Sequence, residues 1–214
     1  MNRDTLFFDL DGTLVDSEAG ILGGIAHALA EMGEPALPRE ALLGWIGPPM
    51  VDSFDRLFAG DAVRTRRALA LYRERYDRQG WREVRAYPGI GAAVGALRAA
   101  GHRLAVATSK SERYARRIVD ALPFGAAFET VVGASEDGSR RYKDALIAEA
   151  LARLSLAPAA CRMVGDRRMD IEGARRHGMR SIGVLWGYGG EAELRAAGAD
   201  ALAAAPAALP GLAA

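Results

Sequence analysis

Short apolar runs alternate with longer amphipathic stretches along most of the chain. The first run, Thr5-Leu6-Phe7-Phe8, leads into Asp9-Leu10-Asp11-Gly12-Thr13. A run that is apolar throughout, without a polar face, marks a strand covered on both sides, as in a parallel sheet. Four similar runs follow: 103–108 (RLAVAT), 129–134 (ETVVGA), 161–166 (CRMVGD) and 181–186 (SIGVLW). Between them, helical spacing of apolar residues spans 90–100, 111–122, 144–154 and 170–177. Strand and helix in alternation predict a doubly wound α/β fold with a parallel sheet. Residues 201–205 offer a weak final strand, and the Ala/Pro-rich tail 206–214 reads as a short helix or a frayed end.

Residues 16–83 break the alternation. Ile21, Ile25, Leu29 and Met32 fall at helical spacing, followed by Leu42-Leu43, by Phe54, Leu57 and Phe58, and by the long pattern 61–79. Gly33, Gly47-Pro48-Pro49, Gly60 and Gly80 divide this stretch into three or four helices with no strand. The expected organisation is a core domain of residues 1–15 and 84–214, with an all-helical cap domain, 16–83, inserted after the first strand. Tyr87-Pro88-Gly89 marks the return to the core.

Composition narrows the classes. Half of the 214 residues are hydrophobic, and 28 basic against 27 acidic residues give a net charge of +1. Near-neutrality removes the electrostatic reason to expect a nucleic-acid polymer or an anionic membrane as partner. The Arg-rich stretch 64–85 is offset within the insertion, where nine Arg face eleven Asp and Glu. A single cysteine, Cys161, makes no internal disulfide, and no Cys/His cluster suits zinc. The start, Met1-Asn2-Arg3-Asp4, is unlike a signal peptide, and no run is long enough to span a bilayer. A cytoplasmic protein is expected. Of the 28 basic residues, 26 are Arg, and the only lysines are Lys110 and Lys143.

In a doubly wound sheet the binding crevice lies at the carboxyl ends of the strands. Asp9 and Asp11 end the first strand, Thr108-Ser109-Lys110 the second, and Asp166 with Asp170 the fourth, while Lys143 opens a helical pattern. Carboxylates gathered in one crevice repel unless a cation joins them, and hard oxygen ligands favour Mg²⁺. The remaining donors suit an oxyanion such as phosphate.

These residues resemble the four motifs of the haloacid dehalogenase superfamily, in order. Asp9-Leu10-Asp11-Gly12-Thr13 matches its DxDGT, Thr108 its second motif, Lys143 its third, and Gly165 to Asp170 its GDxxxD. Ile46-Gly47-Pro48-Pro49, Tyr87-Pro88-Gly89 and the run SIGVLWGYG extend the likeness over essentially the whole chain, nearest the phosphoglycolate phosphatase-like or 5′-nucleotidase-like branch. Asp144 stands after Lys143 where many phosphoglycolate phosphatases have proline, which favours the nucleotidase-like side.

The resemblance implies a Rossmann-type core and Mg²⁺-dependent hydrolysis of a small phosphomonoester from a phosphorylated metabolite. Asp9 is then the nucleophile that forms an aspartyl-phosphate, and Asp11 the acid and later the base. Thr108, with the Ser109 amide, and Lys143 hold the phosphoryl group. Mg²⁺ is held by Asp9, the Asp11 backbone carbonyl and Asp166, with Asp170 acting through water. Three alternatives share the fold: a sugar phosphate mutase, a 2-haloacid dehalogenase and a non-catalytic binding protein. The dehalogenase lacks an aspartate at the place of Asp11, and the mutases have a histidine where Ile21 stands. Asp170 also reads as the N-cap of helix 171–177, and Lys110 as the first turn of a helix. The three histidines, His27, His102 and His177, read as structural or solvent-exposed. Glu18, Arg56 and the Gly47-Pro48-Pro49 loop are candidates for specificity.

Overall fold

In the computed structural model, which describes residues 4–214, the run Thr5–Phe8 forms strand β1 and is buried along its whole length. Met1-Asn2-Arg3, the start of the expected core segment and of the segment read for a signal peptide, lie outside the described residues. The chain forms two compact units: one comprises the chain up to Asp16 with Ala86–Ala214, the other Ser17–Arg85.

In the first unit β1 is followed by the two-residue strand β2 (Val15–Asp16). Strand β3 (Arg85–Ala86), which pairs with β2, carries the chain out of the second unit at Arg85 and back into the first at Ala86. Helix α5 (Ile90–Ala99) and strand β4 (Leu104–Ser111) follow, then α6 (Glu112–Ala121) and β5 (Thr130–Ala134). The chain continues through α7 (Lys143–Leu154), β6 (Cys161–Gly165), α8 (Arg168–Arg176) and β7 (Arg180–Val184). It ends with α9 (Glu191–Ala197), β8 (Ala201–Ala203) and α10 (Leu209–Ala213), so the Ala/Pro-rich tail is helical. Six strands form one sheet in the order β5-β4-β1-β6-β7-β8, parallel at every pairing. The doubly wound α/β reading is thus borne out. β1 lies between β4 and β6, which puts its carboxyl end beside both of theirs.

Helices cover both faces, so β1 and β4 carry apolar side chains in both directions. Phe7, Ala105, Ala107, Val132 and Met163 pack with Leu146, Ile147 and Ala150 of α7 in one buried cluster. Two of the three histidines are tied to backbone: His102 Nδ1 lies 2.8 Å from the Asp4 carbonyl, and His177 Nε2 2.8 Å from that of Asp144.

The second unit is helical: α1 (Glu18–Glu31), α2 (Arg39–Leu43), α3 (Met50–Leu57) and α4 (Ala62–Arg78). Phe54 is its aromatic centre, edge-on to Trp45 and Tyr72 and stacked on Phe58, with centroids 5.3–6.4 Å away. Gly24 of α1 lets α4 close in, since a Cβ there would stand 2.7 Å from the Tyr72 ring. Asp61 caps α4 by accepting the Val63 and Arg64 amides at 3.0 and 3.1 Å.

Two local expectations are corrected. Asp16, expected in the helical insertion, lies in β2. Lys110, read as the first turn of a helix, lies in β4, and α6 starts only at Glu112.

Candidate active site

All the motif residues stand in the first unit: Asp9, Asp11, Thr108 and Asp166 toward the carboxyl ends of β1, β4 and β6, Lys143 at the start of α7 and Asp170 in the first turn of α8. Directly after β1 the chain turns back on itself: the amides of Thr13, Leu14 and Val15 all donate to the Leu10 carbonyl. The turn needs Gly12 for two reasons. Its φ is +86°, and a Cβ on it would run into the Asp166 carboxylate. Asp9 and Asp11, two residues apart across this turn, send their carboxylates to different partners.

Asp9, Asp166 and Asp170 come together: each offers an oxygen, and the three lie within 4.8 Å of one another, all buried. Lys143, the first residue of α7, is buried against them. Its Nζ stands 3.0 Å from Asp9 Oδ1 and 2.7 Å from Asp170 Oδ1, and donates to the Ala107 carbonyl at 2.9 Å. Burial disfavours the ammonium charge, but Asp170 and Asp9 outweigh it and raise its pKa. Three carboxylates and one ammonium leave an excess of negative charge. It falls hardest on Asp166, whose pKa is raised well above the ordinary range by burial first and then by Asp170 and Asp9. Asp170 is shifted upward too, by burial and with Asp9 adding to it, while Lys143 opposes.

Asp166 has partners that reading the sequence did not single out. Thr13 Oγ1 donates to its Oδ1 at 3.0 Å and the Tyr188 amide to its Oδ2 at 2.9 Å. The loop after β7 also braces the Gly12 turn, for Trp186 Nε1 donates to the Thr13 carbonyl at 3.0 Å. Tyr188 Oη donates to Asp16 at 2.7 Å. Nothing local in the sequence marks these contacts: the Tyr188 amide reaches Asp166 across 22 positions, and the others join residues more than 150 positions apart.

Asp170 sits at the third position inside α8 and not at its N-cap. Its Oδ2 accepts the Arg167 amide at 3.0 Å, so it closes the helix start from within while its other oxygen faces Lys143. Thr108 is buried at the point where the β4–β5 register slips: from Ala107 to Ser111 the ladder gains four residues on β4 but two on β5. Such a bulge takes amides out of the ladder beside a functional site. Thr108 Oγ1 accepts the Lys110 amide at 3.3 Å, and Ser109, between them, is half-buried.

The Asp11 carboxylate does not join the acidic cluster. Both its oxygens contact Lys110 Nζ, at 2.8 and 3.0 Å, and the two side chains are only 10% and 5% exposed. The site therefore contains both of the chain's lysines, where one had been expected.

A family model described as haloacid dehalogenase-like hydrolase matches residues 6–184. The tyrosine-protein kinase PtkA of Mycobacterium tuberculosis is 42% identical over 184 residues, 86% of this chain, but the match spans only 62% of the kinase's own length. A 5′-nucleotidase of Pseudomonas aeruginosa is also 42% identical, over 193 residues that cover 89% of this chain and 86% of that protein. The crystal structure of a predicted phosphatase from Clostridium acetobutylicum superposes with a TM-score of 0.94 at 31% identity, covering 99% of this chain and 98% of that one.

Proposed function

The chain belongs to the haloacid dehalogenase-like hydrolase family, and we propose that it is a Mg²⁺-dependent phosphatase of small phosphomonoesters, working through an aspartyl-phosphate. The observation that carries this is the buried cluster of Asp9, Asp166 and Asp170 around Lys143 at the carboxyl ends of β1 and β6. Its excess negative charge, held by hard oxygen donors and walled by Gly12, fits a small divalent cation. Asp9, Asp166 and the Asp11 carbonyl would hold Mg²⁺, with Asp170 acting through a bridging water. When bound, the ion lowers the charge barrier between the Asp9 carboxylate and a phosphate dianion.

The chain's own residues supply the rest. Asp9 attacks phosphorus, and its new O–P bond forms as the ester O–P bond breaks. Asp11 gives its proton to the departing ester oxygen, then takes one from the water that attacks the aspartyl-phosphate. That second attack restores the Asp9 carboxylate and releases inorganic phosphate. The Thr108 hydroxyl and the Ser109 amide cradle phosphoryl oxygens, and Lys143 holds Asp9 and offsets the charge that builds on the phosphoryl group. The helical unit, Ser17–Arg85, acts as a cap that selects the substrate, a small phosphorylated metabolite of the 5′-nucleotide or phosphoglycolate kind.

The test is release of inorganic phosphate from a panel of 5′-nucleotides, phosphoglycolate and sugar phosphates, with Mg²⁺ and after rigorous chelation. Full activity after chelation, or none on any ester with Mg²⁺, overturns the reading. A second reading, transfer of the phosphoryl group to a tyrosine, comes from the likeness to the kinase. It requires phosphotyrosine to form from ATP without matching release of free phosphate. Transfer to a sugar hydroxyl is separated in the same way: β-glucose 1-phosphate with catalytic bisphosphate yields free phosphate from a phosphatase and glucose 6-phosphate from a mutase.

A further inference from the structure

The chain places one lysine on each of the two aspartates that follow β1, Lys143 reaching Asp170 as well. Lys143 takes Asp9, and Lys110 takes Asp11 with a contact to each carboxylate oxygen. The backbone around Lys110 is built to put it there. It lies in the slipped part of β4, its amide tied to Thr108 Oγ1. Its carbonyl packs so closely on β5 that a Cβ on Gly133 would stand 2.6 Å from it. Glu112, two residues on, fastens this corner: it accepts the Gly133 amide at 3.2 Å and the guanidinium groups of Arg116, Arg140 and Arg153 at 2.7–3.1 Å.

From this we infer that Lys110 is a positioning residue for the reaction: it holds the Asp11 carboxylate apart from Asp9, on the β4 side, where it meets the leaving oxygen and then the attacking water. An ammonium within hydrogen-bond distance of both oxygens draws the carboxylate toward itself by charge-assisted hydrogen bonds. The inference rests on the phosphatase reading, because it concerns the acid–base half of that chemistry.

The test compares wild type, Lys110→Met, Lys110→Gln and Lys110→Arg on p-nitrophenyl phosphate and on an alkyl phosphate, glycerol 3-phosphate, with Mg²⁺ present. An alkoxide needs a proton to leave and a nitrophenolate hardly does, so a misplaced Asp11 costs the alkyl ester more. For Lys110→Met we expect the alkyl-to-aryl ratio of kcat/KM to fall about 10-fold or more. The aryl kcat falls while its kcat/KM is nearly kept, with a burst of roughly one nitrophenolate per enzyme as the aspartyl-phosphate waits for its base. Lys110→Arg restores most of the ratio, and in an Asp11→Asn background the loss from Lys110→Met overlaps with that from Asp11→Asn instead of multiplying it. An unchanged ratio with no burst, or losses that multiply, overturns the inference even if Tm has dropped. Lys110→Gln decides if the Met variant does not fold. A wild type that hydrolyses neither ester overturns the phosphatase reading and this inference with it, whereas an active wild type with an unchanged ratio overturns the inference alone.

Discussion

Asp166→Asn should make the metal-free protein more stable while removing its response to Mg²⁺. Asp166 is fully buried, and its charge is opposed by two carboxylates with oxygens within 4.8 Å of its own. At an effective dielectric constant of about 20, two unit charges at that distance repel by roughly 3.5 kcal/mol. The Lys143 ammonium, set between Asp9 and Asp170, offsets about one of the two repulsions. About 3 kcal/mol is left to be relieved when Asp166 becomes a neutral isostere. The amide fits the same partners: its oxygen accepts from the Tyr188 amide, and its NH₂ donates to the Thr13 hydroxyl, which turns from donor to acceptor. For a chain of this length that corresponds to a Tm increase of about 6–12 °C in chelator.

The pH dependence carries the sign. A carboxylate whose folded pKa is raised contributes its stability below the unfolded pKa and loses it as pH rises through the folded value. In chelator, wild type should therefore lose stability from roughly pH 4 upward relative to Asp166→Asn, and the two should converge below that. The assay is thermal unfolding followed by circular dichroism from pH 3.5 to 8, with chelator and with Mg²⁺. Wild type gains Tm with Mg²⁺ and the variant does not. An Asp166→Asn protein no more stable than wild type in chelator at pH 7, or one stabilised equally by Mg²⁺, refutes the electrostatic reasoning.

Glu112→Gln should cost about 1–2 kcal/mol, at the low end because the side chain is partly exposed. Its partners, led by Arg153 and Arg116, outweigh burial and hold its pKa down to about 2, so this stability is present above pH 4.5 and lost as pH falls toward 2. Acid unfolding of the two proteins checks it, and an unchanged acid slope refutes it. Cys161 is fully buried and burial, with Asp4 adding, lifts its thiol to about 11. A disulfide reagent at pH 8 should modify the native chain far more slowly than the chain in denaturant, and equal rates would contradict that environment. Lys143→Arg should lower kcat by roughly 100-fold with the fold kept by circular dichroism, and activity within threefold of wild type would show that Lys143 needs no compact ammonium.

Much of the site is legible in the sequence because its residues sit at the ends of strands whose apolar runs are unmistakable. Asp9 after TLFF and Asp166 after CRMVG are placed by the strands themselves, and β1 between β4 and β6 then brings them together. Other parts are hidden for physical reasons. Thr108-Ser109-Lys110 is polar and lacks strand alternation, so the continuation of β4 to Ser111 depends on a register slip with no local signature. Helix α8 begins two residues before Asp170, a start the apolar pattern does not mark because Arg168 and Met169 add nothing to its stripe. The hold of Thr13 and the Tyr188 amide on Asp166 arises only when β1 and β7 flank β6.

The two lysines of an otherwise arginine-only chain acquire a common explanation from their contacts. Lys143 Nζ meets three oxygens on different elements: Asp9 after β1, Asp170 in α8 and the Ala107 carbonyl of β4. A tetrahedral ammonium can aim three N–H groups in three directions out of one plane, while a guanidinium spreads its donors in a flat fork. Lys110 has both oxygens of one carboxylate to satisfy, a task a fork performs as well, but in a space that leaves its side chain only 5% exposed. Elsewhere the cations are arginines, and many lie on partly exposed carboxylates, as Arg103 does on Glu129, with Nε donating to Oε1 and Nη2 to Oε2. The division is thus one of place: forks where a carboxylate stands at the surface, ammoniums on the buried carboxylates of Asp9 and Asp11.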